Sequence, residues 1–79
     1  MNLDSFSIDQ RIKVQGKSPK GKNRINEHGD IWRVKNKIEK GHWPWVEEDS
    51  IMLESLKDGT TARWVNITED KDFELVMDN

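Results

Sequence analysis

Four groups of residues have types and spacings that chemistry could use. The first is Gly16-Lys17-Ser18-Pro19-Lys20-Gly21-Lys22-Asn23, one residue short of a phosphate-binding loop. That motif needs Ser or Thr after its lysine, because the hydroxyl reaches a magnesium ion, and it opens a helix whose N-terminus cradles phosphate. Asn23 stands at the hydroxyl position, and Arg24 to Gly29 is a poor helix start. Nucleotide hydrolysis is therefore not expected. The same segment has a second reading as a loop. Lys13, Lys17, Lys20, Lys22 and Arg24 would then lie along a nucleic-acid backbone, each neutralised phosphate adding salt-dependent affinity. A pI of about 5.6 stands against this, since nucleic-acid domains commonly exceed about 9. The competing expectation is a solvated loop whose lysines deter edge pairing.

The second group is the histidines, His28 and His42, with Glu27 and Asp30 near the first. A structural zinc takes four ligands, usually thiolate and imidazole. The chain has no Cys and its two His are far apart, so no metal is expected and His28 is placed in a turn. The third group is the carboxylates, of which Glu47 and Asp49 are the nearest to a pair. Paired-carboxylate chemistry needs a cleft that shifts their proton affinities, and so short a chain rarely encloses one. No Ser-His-Asp motif is visible. The expectation is a non-enzymatic protein with no catalytic residue and no cofactor.

The fourth group is His42-Trp43-Pro44-Trp45. Pro44 fixes its own φ and holds Trp43 extended. Trp is the residue most enriched at binding hot spots. His42, Trp43 and Trp45 are therefore the expected contacts to a protein partner, with Lys40, Glu47 and Glu48 as a polar rim. The competing expectation is that both indoles plug a small core. Trp32 and Trp64 sit in strand patterns and are expected inside.

The rest of the chain must position these groups, and its composition limits how. With 79 residues there is room for one domain and one core. A chain of this size buries only about 60% of its unfolded surface. Charged residues make up 35% and hydrophobic residues 33%, but four Trp and two Phe remain to be buried. Absence of Cys points to a reducing compartment. With neither a signal-peptide pattern nor an apolar run of the roughly 18 residues that read as a membrane span, a cytoplasmic protein without membrane contact is the expectation, monomeric or weakly self-associating. Charge is segregated. Met1 to Trp43 carries a net +5 and Pro44 to Asn79 a net −7. Such asymmetry gives an oriented surface field unless the fold interleaves the halves.

Along the chain, residues 1–7 are expected as a short tail and 8–79 as the domain. Ile8 to Val14 alternates and predicts a strand with Ile8, Ile12 and Val14 inward. Gln15 to Asn23 is expected as a loop, from Gly16, Pro19 and Gly21. His28-Gly29-Asp30 turns the chain into a strand over Ile31–Ile38, with Trp32 and Val34 on one face. Asp58-Gly59 predicts a two-residue hairpin turn with positive φ. It pairs Leu56 with Thr61, Glu54 with Arg63 and Leu53 with Trp64. Phe73 to Val76 is a last short strand. Trp45 to Lys57 has a second reading as a helix, since Pro44 precedes it and Gly59 follows it, but the hairpin is preferred.

This order is a strand, a long polar loop, a Gly29-x-x-Trp32-x-Val34 strand, a variable loop and a tight hairpin into Ala62-Arg63-Trp64-Val65. A short turn over Thr68 to Asp72 then leads to a final strand. It resembles the five-stranded SH3-like barrel and small proteins of that kind carried by phages and their bacterial hosts. The resemblance implies an all-β barrel that binds protein surfaces, proline-rich peptides or nucleic acid. The alternative is an α+β fold with one helix around Trp45–Lys57. The leading functional expectation is a binding module or regulator with a protein partner. Nucleic-acid binding through Lys17, Lys20, Lys22 and Arg24 is the second.

Overall fold

The computed structural model describes residues 2–76. The first residue of the expected tail and the last three of the expected domain lie outside the described residues. The chain runs through a 3-10 turn at Leu3–Ser5, β1 at Arg11–Gly16, α1 at Pro19–His28, β2 at Ile31–Ile38, β3 at Ser50–Ser55, β4 at Ala62–Asn66 and β5 at Phe73–Val76. The five strands form one antiparallel sheet in the order β4-β3-β2-β1-β5. Among the described residues β4 does not pair with β5, so the sheet is open. The protein is thus mostly β, with one helix.

Alternation places the core. Ile12 and Val14 of β1, Trp32 and Val34 of β2, Ile51 and Leu53 of β3, Val65 of β4 and Phe73 of β5 all point to one face and are buried. Trp32 is anchored by its indole N–H, which donates to the carbonyl of Gly29 at 2.9 Å. A buried indole nitrogen needs such a partner. β2 keeps its expected bounds, and β3 is a strand, so the helix expected as an alternative around Trp45–Lys57 does not form.

The helix lies elsewhere, over a stretch expected as loop. Ser18 caps it, its hydroxyl accepting the Gly21 N–H at 3.0 Å, and Pro19 opens its first turn. Proline is favoured there because its missing N–H would be unpaired anyway. Gly29, at φ +84°, ends the helix by donating its N–H to Ile25 O at 2.8 Å. Ile25 then packs on the core.

The N-terminal expectation also changes. Phe6 is buried in the core and Leu3 packs against it, so Leu3 to Phe6 is part of the domain and not a free tail. Ile8, expected inward, stands exposed in a turn before β1.

The third correction is one of register. β3 and β4 pair Met52 with Trp64, Leu53 with Arg63 and Glu54 with Ala62, one residue away from the expected ladder. The connection is longer than a two-residue turn, and positive φ among the described residues falls on Asp9, Gly29 and Gly41, not on Gly59. Asp58 organises the turn instead. Its carboxylate accepts the backbone N–H of Thr61 at 2.9 Å and the Thr61 hydroxyl at 3.0 Å, as Asp does in side-chain-closed turns. A slip of one residue exchanges the two faces of a strand. Trp64, expected in the core, is therefore turned outward and 40% exposed. Arg63 takes the inward side, lies 4.4 Å from the centre of the Phe73 ring and pairs with Asp70 at 3.3 Å. Glu54, the expected partner of Arg63, pairs with Arg33 at 3.1 Å.

Candidate interaction site

The site grows from the outer face of the β2–β3–β4 ladder. A bulge between Val34 and Asn36 shifts the register of β2 against β3. Beyond it Lys37 lies opposite the buried Ile51, and Ile38 lies opposite Ser50. The Lys37 ammonium donates to the carbonyls of Leu3 and Phe6, at 3.3 and 3.0 Å. Ile38 is thereby turned to the outer face. There it joins Ser50, Trp64 and Asn66, and the Ser50 hydroxyl donates to Asn66 Oδ1 at 2.8 Å.

The segment between β2 and β3 folds against this surface. Its backbone is tied at several points. Lys40 N–H donates to Asp49 Oδ1 at 2.8 Å, Gly41 N–H to Val46 O at 2.9 Å and Val46 N–H to Trp43 O at 3.0 Å. Gly41 takes φ +81°, which a side chain would resist. Held this way, Trp43 and Trp45 stack with centroids 5.6 Å apart and planes within 3°. His42 meets Trp43 edge-on at 5.0 Å. Trp43 is 48% exposed and Trp45 74%. The expectation that both indoles plug the core is overturned. Trp43, Trp45 and Trp64, with Ile38, Val46 and Glu47, line one cleft of about 370 Å³.

The expected nucleic-acid residues are spread over α1 and two adjoining hollows that share Phe73. Lys20 and Arg24 are one turn apart on α1 and line one site with Trp32, Phe73, Arg63 and Asp72. Lys17 lies at a different site, among Glu69, Asp70 and Glu74. Lys22 is about 200° around the helix from Lys20, at 3.6 residues per turn. Lys13 is paired with Asp30 at 3.9 Å. The charges of the two chain halves are thus partly interleaved.

The start of α1 also shows why the loop is not a phosphate cradle. Asp72 occupies that end of the helix and accepts the Ser18 hydroxyl at 2.6 Å. This bond, together with the Arg63 charge, holds its carboxyl below the usual value. A carboxylate at this end of the helix has the sign the helix dipole favours. His28, expected in a turn, is instead the last residue of α1, and its Nδ1 lies 2.8 Å from Asp58 Oδ2. The Thr61 N–H and this His28 contact hold the Asp58 carboxyl down to about 2. No cluster of three or more metal-ligating side chains occurs among the described residues.

No family model, curated protein or solved structure matches this chain. The site's chemistry rests on its own residues. Trp64 is the site residue that sequence reasoning placed wrongly. The signal that finds it is Asp58 as a side-chain acceptor for Thr60 and Thr61, which lengthens the turn and shifts the register. No helix among the described residues is long and apolar enough to cross a membrane.

Proposed function

We propose that this protein is a non-catalytic binding module that takes a segment of a protein partner on the Trp43–Trp45–Trp64 face. One observation carries the reading. Three indoles share one outer face, two of them on a loop closed by its own hydrogen bonds. An exposed aromatic cluster of this kind marks interaction sites, and a preformed loop loses little entropy on binding. We keep the SH3-like resemblance as part of this reading: the strand order brings the last strand beside the first, in a sheet that is open among the described residues. The cations of the second expectation stand among acids, Lys17 with Glu69, Asp70 and Glu74, and Lys20 and Arg24 with Asp72, which disfavours a nucleic-acid backbone.

The test is capture from a nuclease-treated lysate by the wild-type chain, Trp45→Ala and the double variant Lys20→Glu/Arg24→Glu. Trp45→Ala is expected to keep the melting midpoint close to wild type, because the side chain is largely exposed, and to lose the captured protein. The double variant is expected to retain it. Capture that survives Trp45→Ala refutes the reading.

A further inference from the structure

We propose that the segment bound on the indole face presents a cationic side chain, Lys or Arg, to the three tryptophans. The inference rests on the binding-module reading and specifies its ligand. Among the described residues the cleft lining holds Glu47 and neither lysine nor arginine; the adjoining hollow that shares Trp43 and Trp64 adds Glu39 and Lys37, whose ammonium is held by the Leu3 and Phe6 carbonyls. The surrounding segment, Glu39 to Asp49, carries Glu39, Glu47, Glu48 and Asp49 against the single Lys40. A cation placed over an indole is attracted by the negative face of the ring, and Trp is the strongest of the aromatic partners. Glu47 and Glu39, which line hollows with these rings, add attraction of the same sign and repel anionic partners. Stacking leaves Trp45 one face free of Trp43, and its high exposure gives a ligand access to it.

The backbone next to the cleft suits an extended segment. Hydrogen bonds from Ser55 N to Thr61 O and from Ile67 N to Asp49 O set the alternation of the β3–β4 ladder. By that alternation the N–H and C=O groups of Trp64 and Asn66 point away from β3. β4 is the edge of the sheet. An added strand would place alternate side chains on the same outer face as Trp64, which is the geometry of strand addition with side-chain pockets.

The experiment titrates the full chain with blocked seven-residue Ser/Gly peptides bearing Arg, Lys, Leu or Glu at the centre, followed by tryptophan fluorescence and indole NMR shifts. The Arg and Lys peptides are expected to shift the indole signals of Trp43, Trp45 and Trp64, with binding that weakens as salt rises. Glu47→Gln is expected to weaken them about two- to fivefold, and Lys20→Glu to leave them unchanged. If the Leu peptide binds as well as the Arg peptide, the cationic ligand is refuted while the binding face stands. If no peptide shifts the indoles and sedimentation shows self-association lost in Trp45→Ala, a second copy covers the face and the proposal fails. Capture of a protein that is independent of Trp45 overturns the binding-module reading itself.

Discussion

Gly21→Ala should destabilise the protein, against the usual effect of that change in a helix. On intrinsic propensity alone, alanine gains about 1 kcal/mol over glycine in a helix interior. Here Gly21 is buried, and a Cβ would lie 2.0 Å from the carbonyl oxygen of Asp72 and 2.9 Å from its carbon. Those are backbone atoms and cannot swing aside. The Asp72 carbonyl also accepts the Lys17 N–H at 2.7 Å, and the Asp72 N–H is held by Asp70 at 3.1 Å. Relief therefore requires α1 to lift from the segment before β5. Overpacking of this sort costs about 1–3 kcal/mol, and loss of the Lys17 bond about 1 more. Set against the propensity gain, the net expected loss is about 1–3 kcal/mol. For a domain of this size that is a fall in melting midpoint of roughly 4–8 °C per kcal/mol. Urea melts read it as a lower midpoint at unchanged slope. A variant as stable as wild type would refute the close approach of α1 to Asp72.

The remaining predictions concern turns, acid and the indoles. Gly59→Val should stay within about 0.5 kcal/mol of wild type, because Gly59 lacks positive φ and a Cβ there meets nothing within 4 Å; a loss above about 1 kcal/mol would restore the two-residue turn. Asp58 has its carboxyl lowered from 3.8 to about 2 in the folded protein. Its stabilising contribution is therefore complete above the unfolded value and lost as pH falls through the folded one. Urea midpoints should decline between about pH 4 and pH 2, and Asp58→Asn should flatten that decline; an unchanged profile in the variant would count against the Asp58 turn. Trp32→Ala should cost about 3–5 kcal/mol as a buried residue, while Trp64→Ala should cost clearly less, measured in the same melts; equal losses would place Trp64 in the core.

The sheet was legible where alternation is unbroken. β2 keeps its expected bounds, β5 its place, and Ile12, Val14, Trp32 and Val34 their inward sense. Alternation failed where a single local interaction resets the chain. Asp58 lengthens the turn, so Trp64 and Arg63 exchange faces. The bulge after Val34 does the same for Lys37 and Ile38. α1 was hidden because its sequence holds a buried glycine and two lysines near its start and lacks an acidic first turn. Its stability comes from the Ser18 cap and from contact with Asp72, a residue 54 positions away from Ser18. The loop tryptophans were legible as candidates because they fit neither period. Trp64 as their companion was not, since its face depends on a turn whose length the dipeptide Asp58-Gly59 misstates.

The pairing of β1 with β5 joins residues separated by 57 to 63 positions. The β2–β3 and β3–β4 ladders close much shorter loops. Closing a long loop costs chain entropy before any contact repays it, so distant pairings form late and slow a fold. During synthesis the chain emerges with β1 first and β5 last. Without β5 the core lacks Phe73 and β1 has one unpaired edge. The three-strand unit from β2 to β4, which carries the indole face, has its ladders without β5. The indole face thus rests on short-range ladders, while the β1–β5 pairing ties the two ends of the described fold together.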